Sequence, residues 1–185
     1  MKSADCRDRE ALVEAMRAGE HPKFLMFWGH TPQTSGCIDR SCLSNWFPAS
    51  FEIDDEFYPT SEHYMMAQKA CMFGDSGMLN AIRKSETPGE AKKLGRRVAN
   101  FNQAVWEEHR FHIVVQANEA KFSQNEEMGH FLISTGNQVL VEASPRDRIW
   151  GIGMGASNPL ANDPSHWNGR NLLGFALMEV RSRLH

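Results

Sequence analysis

Residues 58–70 read YPTSEHYMMAQKA, and this stretch predicts the start of a buried helix. Pro59 pushes the residue before it out of the helical conformation, and Thr60 or Ser61 can cap the first free backbone N–H groups. The segment from 62 to 73 contains neither glycine nor proline and is rich in helix formers. We therefore expect a helix over 62–73, and we interpret the other segments in relation to it.

Glu62 and Lys69 are the candidate functional residues of this helix. They are seven residues apart in the sequence, which places them within roughly 20° of each other around the helix axis and about 10 Å apart along it. A carboxylate and an amine at that spacing can reach one small substrate, with Met65 and Met66 between them. The same spacing is also typical of a solvated helix face, so the spacing alone leaves both interpretations open.

The composition is ordinary for a globular protein. The chain has 185 residues, enough for one domain with a substantial core. Hydrophobic residues make up 41% of the chain and charged residues 23%. The net charge of −3 argues against a wide nucleic-acid footprint. It remains compatible with a site that binds a single extruded nucleotide.

The cysteine and histidine spacings predict neither a disulfide framework nor a metal site. The four cysteines include no CxxC pair, and His109 and His112 lie one helical turn apart without a third ligand. We therefore expect reduced thiols and no metal or other cofactor. Residues 1–20 are charged throughout, unlike a secretory signal, and no apolar run approaches the roughly 20 residues of a membrane span. These patterns predict a cytoplasmic protein without a membrane partner.

Periodicity and turn residues predict the remaining elements. Pro88 stands at a first helical position, and Asn171 or Gly169 opens the final helix. The segment 147–171 is rich in glycine and asparagine. A connection of this length is usually functional or disordered, and its two tryptophans argue against disorder. Strands are expected over 23–28, 51–54 and 138–143, with a turn at 54–56. Helices are expected within 1–20 and over 78–84, 88–98, 102–122, 125–134 and 172–184.

Several motifs, taken together, are similar to those of one known family. They are LSNWFP at 43–48, the opening stretch through Lys69, Trp106, DRIWGIG at 147–153, and GRNLLG with LMEVR between 169 and 181. On these motifs the chain resembles the NADAR family of YbiA-like N-glycosidases, from about residue 24 to residue 184. The resemblance implies an α+β fold, a mostly helical single domain with a small β-sheet, the YbiA-like fold. The domain would occupy 23–185, and 1–22 would be an N-terminal extension.

The resemblance also implies an activity, cleavage of the N-glycosidic bond at C1 of a phosphorylated ribose. Two substrate classes are associated with the family. One is ADP-ribose attached to guanine in DNA or another nucleic acid, removed as an antitoxin activity, with a cognate ADP-ribosyltransferase toxin as a candidate partner. The other is a set of phosphoribosylated intermediates of riboflavin synthesis. The first is our leading hypothesis, and a non-catalytic module that binds ADP-ribose or NAD is a further alternative.

Three residues are predicted to be catalytic. Glu62 is the candidate general acid and base. Lys69 is either a nucleophile that forms a Schiff base with the ring-opened sugar or an electrostatic contact to the substrate, and the first role requires an amine neutralised by desolvation. Asp147 either orients a sugar hydroxyl or assists Glu62, or it only caps the turn before Trp150.

The predicted substrate contacts include aromatic rings that can stack on a base and glycines that allow the backbone to approach the substrate. A base stacked on a tryptophan gains about 1–3 kcal/mol, although a tryptophan placed like Trp106 is more often part of a helix core. Gly151 and Gly153 are expected where the backbone approaches a phosphate. His63 either contacts the substrate or is a hydrogen-bonded histidine at a helix end. Trp46 stands where the family commonly has phenylalanine, which changes the expected width of the pocket. The full set of predicted substrate contacts is Asn45, Trp46, Phe47, His63, Trp106, Trp150, Gly151, Gly153, Arg170 and Asn171.

Overall fold

The computed structural model describes residues 2–184. Its elements confirm the α+β, mostly helical fold, although the strands form two two-stranded sheets rather than one. The helices of the described chain are α1 Arg9–Arg17, α2 Ser61–Met72, α3 Ser76–Arg83, α4 Pro88–Gly95, α5 Gln103–Gln124, α6 Glu126–Ser134 and α7 Leu172–Arg183. The strands are β1 Phe24–Phe27, β2 Phe51–Ile53, β3 Glu56–Tyr58 and β4 Val139–Glu142.

Contacts divide the described chain into two compact units. The middle unit is the continuous segment Asn45–Glu126. The terminal unit combines the described residues up to Ser44 with those from Glu127 onward. The predicted boundary between an extension at 1–22 and a domain at 23–185 stays a prediction.

Helix α2 is the central element of the middle unit. It packs against α3, α4 and α5, and its residues from Ser61 to Ala67 are all buried. Thr60 is its N-cap, and the side chain of Thr60 accepts a hydrogen bond from the backbone N–H of His63. Helix α4 begins with the expected proline, behind a Thr87 cap. A helix that packs on several sides must bury polar positions as well as apolar ones, which explains the mixed sequence of α2.

A short hairpin precedes α2. Strands β2 and β3 pair in antiparallel register, with Phe51 opposite Tyr58. Asp54 and Asp55 form the turn, with positive φ angles of 54° and 61°, a conformation that aspartate tolerates better than most residues. The turn agrees with the sequence prediction, whereas the returning strand β3 was not predicted.

The terminal unit is built on a parallel strand pair. Strand β1 pairs with β4, Phe24 opposite Val139. The other edge of β4 is covered by the side chain of Asn171, whose Oδ1 accepts from the Glu142 N–H at 2.9 Å and whose Nδ2 donates to the Leu140 carbonyl at 2.9 Å. Helix α7 follows immediately and packs on β4. One carboxamide thus takes the place of a third strand at this edge.

No helix within residues 2–184 is long and apolar enough to cross a membrane. Over the same residues no disulfide joins the cysteines, of which Cys6 and Cys42 are buried and Cys37 and Cys71 are exposed.

Candidate active site

Glu62 lies in a buried polar cluster at the start of α2. Glu62 is only 3% exposed, and its backbone N–H donates to the Asn45 carbonyl at 3.0 Å. The Asn118 Nδ2 donates to the Asn45 Oδ1 at 3.0 Å, and the Ser61 hydroxyl donates to the Asn118 Oδ1 at 3.4 Å. Glu62 is therefore not on a solvated helix face, and amides from the LSNWFP motif and α5 surround its helix turn.

Lys69 lies in a partly desolvated setting two turns later. Its Nζ donates to the Gly95 carbonyl at 2.8 Å and lies 4.1 Å from the centroid of the Phe101 ring. Burial lowers the pKa of the Lys69 amine below its ordinary value. A lowered pKa increases the fraction of neutral amine near neutral pH, the form that a nucleophilic lysine requires.

The tryptophans of the middle unit differ in exposure. Trp106 is 8% exposed, and its ring centroid lies 5.8 Å from the Lys69 Nζ, so it is a core residue that also forms one wall beside the amine. Trp46 is half-buried and packs near Lys92, whose Nζ lies 5.6 Å from its ring centroid. The adjacent Phe47 is buried. Of these rings, Trp46 has the larger accessible face.

Helix α5 buries polar residues that sequence reasoning missed. Arg110 is 2% exposed, and Asn118 and Lys121 are 0% exposed. The Lys121 Nζ lies 5.7 Å from the centroid of the Phe47 ring. Spacings of four, four and three residues along 110, 114, 118 and 121 place these residues on one face with Val114. That spacing was the available signal, but charged residues at such positions are usually assigned to solvent.

His63 uses both ring nitrogens within the protein. A carbonyl can only accept, so the 3.2 Å contact with Ser85 O makes His63 Nε2 the donor, and Nδ1 then accepts from the Thr60 hydroxyl at 2.8 Å. The residue is 1% exposed, and burial lowers its pKa. A neutral, fully hydrogen-bonded imidazole favours the helix-end role over substrate contact.

Asp147 caps a turn in the terminal unit and keeps one oxygen available. Its Oδ1 accepts from the backbone N–H groups of Ile149 at 2.8 Å and Trp150 at 2.7 Å. Its Oδ2 makes no hydrogen bond with another residue of the described chain. The capping role is therefore present, and it leaves an oxygen that can still orient a substrate hydroxyl. Trp150 itself is half-buried.

The two glycines after Trp150 are required by packing. A Cβ at Gly151 would lie 2.8 Å from the Glu142 carbonyl oxygen. Gly153 has a φ of +67°, and a Cβ there would lie 3.0 Å from Arg148 Cγ. Packing within the unit accounts for both glycines, and their approach to a phosphate stays a prediction.

Asn171 and Arg170 are neighbours with opposite surroundings. Asn171 is 0% exposed and has a left-handed φ of 55°. Both amide functions of Asn171 bind β4, so a structural role accounts for this residue within the fold, and its contact with a substrate stays a prediction. Arg170 is exposed, and its guanidinium has no hydrogen bond or ion pair with another described residue.

Comparison with known proteins decides the family. Residues 26–185 match the model of the NADAR domain.

The chain belongs to the NADAR family.

Two proteins similar to this NADAR chain are named as N-glycosidases. N-glycosidase R617 of Acanthamoeba polyphaga mimivirus is 41% identical over 167 residues, which cover 88% of this chain and 96% of the relative. N-glycosidase YbiA of Escherichia coli K12 is 33% identical, over 79% of this chain and 82% of the relative. The NMR structure of E. coli YbiA superimposes with a TM-score of 0.71 at 30% identity, covering 88% of this chain and 85% of that one. The YbiA-like fold is thereby confirmed.

The NADAR motifs fall into both units. The middle unit carries the predicted site residues Asn45, Trp46, Phe47, Glu62, His63, Lys69 and Trp106. The terminal unit carries Asp147, Trp150, Gly151, Gly153, Arg170 and Asn171. Among residues 2–184 no group of three or more histidine, cysteine, aspartate or glutamate side chains is arranged to hold a metal ion.

Proposed function

We propose that this NADAR chain is an N-glycosidase that removes ADP-ribose from ADP-ribosylated guanine in nucleic acid. The names of the relatives support cleavage of an N-glycosyl bond as the general activity. The observation that carries the chemistry is the setting of Lys69, an amine with a lowered pKa on the same helix as the buried Glu62. An antitoxin role, directed against a cognate ADP-ribosyltransferase toxin in the cytoplasm, belongs to the same proposal.

Lys69 acts as the nucleophile in this proposal. Its neutral amine adds through the nitrogen lone pair to C1 of the ribose as the bond from C1 to the ring oxygen breaks, and one amine proton passes to that oxygen, which becomes a hydroxyl. The bond from C1 to the guanine nitrogen then breaks, and the lone pair left on the Lys69 nitrogen forms a protonated imine with the sugar. Desolvation favours the neutral amine, whereas the Phe101 ring at 4.1 Å attracts the ammonium form. Burial lowers the pKa of the Lys69 amine, which supports the neutral form that this step requires.

Glu62 supplies and recovers the proton. The departing guanine takes a proton from the carboxyl group, which avoids an anionic leaving group. Water then hydrolyses the imine, which restores the Lys69 amine and returns a proton to Glu62. The net reaction consumes one water and yields free base and ADP-ribose. Exclusion of water from around Glu62, which is 3% exposed, favours proton transfer to the base over exchange with solvent.

The terminal unit, considered by itself, has candidate binding groups of its own. Within this unit the Asp147 Oδ2 is suited to orienting a hydroxyl group, and the Trp150 ring is suited to stacking on a base. Arg170 binds phosphate, together with Arg146 and Arg148, since all three guanidiniums are exposed and have no hydrogen bond or ion pair with other described residues. Unpaired arginines in a chain with a net charge of −3 favour a substrate that carries several phosphates.

A substrate panel with the full chain tests the proposal. The panel compares ADP-ribosylated guanosine, an ADP-ribosylated DNA oligonucleotide and a phosphoribosylated pyrimidine, with release of free base as the readout. We expect release from the guanine substrates. Preferential release from the pyrimidine would replace the proposal with the riboflavin-intermediate alternative. Binding of ADP-ribose without any release would indicate a binding module.

Borohydride reduction tests the covalent step. Reduction during turnover should attach the sugar to Lys69 of the wild type. Lys69→Arg keeps the charge but cannot form an imine, because a guanidinium stays protonated, so it should be inactive. Lys93→Arg is the matched control, an exposed lysine on α4 that should keep full activity. An active Lys69→Arg without a trapped adduct would reduce Lys69 to an electrostatic contact.

A further inference from the structure

The groups that contact the Lys69 amine in the middle unit are all uncharged. The Gly95 carbonyl accepts a hydrogen bond from the Lys69 Nζ at 2.8 Å, and the Phe101 ring centroid lies 4.1 Å from that nitrogen. Among the described residues, no charged side chain of α2, or of α3, α4 and α5 packed against it, forms an ion pair with Lys69 or shifts its pKa. A positive charge on this nitrogen is therefore stabilised by a carbonyl dipole and aromatic rings rather than by a carboxylate.

Phe101 lies over the amine because of the turn between α4 and α5. Asn100 takes a left-handed φ of 55°, and the Asn102 side chain caps α5 by accepting from the Val105 N–H at 3.2 Å. The rings of Phe101 and Phe73 are roughly perpendicular, with centroids 5.3 Å apart. Phe101 is 40% exposed, so burial stabilises it less than it stabilises a core phenylalanine. The position of this ring over the amine is suited to a role beyond packing.

Gly95 brings a helix C-terminus to the same nitrogen. It is the last residue of α4, and backbone carbonyls at that end carry the partial negative charge of the helix dipole. A Cβ built at Gly95 would collide with the Met66 sulfur. Glycine therefore allows α4 to approach α2 closely enough for the hydrogen bond from Lys69.

Positive charge develops on the Lys69 nitrogen at one step of the proposed reaction. When the bond from C1 to guanine breaks, its electron pair leaves with the base, which takes a proton from Glu62. The lone pair of the Lys69 nitrogen then forms the double bond to C1, and the nitrogen keeps one N–H and becomes positive. That N–H can donate to the Gly95 carbonyl, and an aromatic face attracts a cation at this distance. Groups already aimed at a developing charge need no reorganisation during the reaction.

We infer that Phe101 is a further catalytic residue, whose ring, together with the Gly95 carbonyl, stabilises the protonated imine on Lys69 as the base departs. The inference rests on the proposed function and adds to it a side chain that lies in none of the family motifs. The ring stabilises the ammonium form of Lys69 as well as the protonated imine. Its effect on imine formation is therefore largest where the starting amine is neutral, and it cancels where the starting amine is an ammonium.

Aldehyde labelling of the full chain measures this effect without the substrate. Glycolaldehyde condenses with the Lys69 amine and releases water, cyanoborohydride reduces the protonated imine to a stable secondary amine, and peptide mass mapping locates the product. Where the amine is neutral, Phe101→Leu should label Lys69 about fivefold to thirtyfold less than the wild type, because leucine is apolar but has no ring. At lower pH, where both proteins hold an ammonium, the two should label equally. A packing defect would instead lower labelling at every pH.

Two variants serve as controls for the ring itself. Phe101→Tyr keeps an aromatic face and should label Lys69 like the wild type. Phe57→Leu removes another ring of the middle unit, at 74% exposure, and should have no effect. Melting temperatures verify that each variant is folded. Labelling of Lys69 that is absent in the wild type, or that is the same in Phe101→Leu at every pH, would overturn the inference.

Base release from ADP-ribosylated guanosine separates this inference from the proposed function. In Phe101→Leu, kcat should fall by the same factor as labelling while KM stays nearly constant, because the ring acts on the intermediate rather than on bound substrate. Labelling that depends on Phe101 without any base release would contradict the glycosidase proposal and still support the role of the ring. Base release combined with labelling that is independent of Phe101 would refute the inference and leave the glycosidase intact.

Discussion

Asn171→Ala should strongly destabilise the protein while leaving its chemistry intact. The substitution removes two hydrogen bonds of 2.9 Å and leaves the Glu142 N–H and the Leu140 carbonyl without them. Each buried group without its partner costs about 1–3 kcal/mol. Alanine at a φ of 55° adds roughly 1–2 kcal/mol that asparagine largely avoids. We expect a total loss of about 4 kcal/mol from a free energy of unfolding that is typically about 5–15 kcal/mol.

Urea denaturation of three variants separates these contributions. Asn171→Gly accommodates the backbone angle but lacks the amide, so its midpoint should lie between those of the wild type and Asn171→Ala. Asn171→Asp can still accept from the Glu142 N–H, but it places a carboxylate oxygen against the Leu140 carbonyl, so it should not recover wild-type stability. Midpoints should shift at unchanged slope, since the surface exposed on unfolding stays the same.

The activity of the folded fraction provides the decisive control. If Asn171 is structural, base release per folded molecule should match the wild type below the unfolding transition. An Asn171→Ala protein that resists urea like the wild type but has lost its affinity for ADP-ribose would refute the reasoning. Asn171 would then be a substrate contact, and its hydrogen bonds to β4 would contribute little to stability.

Four further predictions concern the site. Glu62→Gln should fold and bind ADP-ribose yet lose about 10²–10⁴-fold in turnover, and near-normal base release would exclude Glu62 from the mechanism. Trp150→Ala should weaken substrate affinity more than it lowers the melting temperature, and the opposite pattern would make Trp150 a core residue. Burial lowers the pKa of His63, so as the pH falls the unfolded chain takes up a proton near pH 6.5 before the folded chain does, and stability should fall below that pH. Urea midpoints measured across that range should lose this pH dependence in His63→Gln. An unchanged pH profile in the variant would assign the dependence to other groups. Base release should continue in the presence of a chelator, and activity abolished by chelation and restored by one divalent ion would contradict the metal-free mechanism.

Local signals were sufficient to predict most helices. Pro59, Thr60 and the helix formers that follow them determine where α2 begins, because capping and proline effects act over a few residues. Pro88 marked the start of α4 for the same reason. The family motifs extended this to the fold, and the TM-score of 0.71 with E. coli YbiA confirmed it.

Long-range contacts could not be predicted from the sequence. The pairing of β1 with β4 joins segments far apart in the chain, and nothing in either segment specifies its partner. Asn171 was expected at the start of α7, but its bonds to Leu140 and Glu142 depend on tertiary structure. Lys121 and Arg110 were missed because a charge on a helix is usually solvated, whereas here both are buried.

In the sequence, the middle unit separates the two parts of the terminal unit, and this order has a consequence for translation. Phe24 pairs with Val139, so translation at about 5–20 residues per second leaves β1 without its partner for roughly 6–23 s. During that interval the middle unit, which ends at Glu126, is complete and can fold on the ribosome. Meanwhile the apolar strand FLMF at 24–27 has no partner strand, and an unpaired apolar strand is prone to aggregation. The nascent chain is therefore most exposed to chaperone capture or misassociation before β4 emerges, and a pause in translation between Glu126 and Val139 would prolong that exposure.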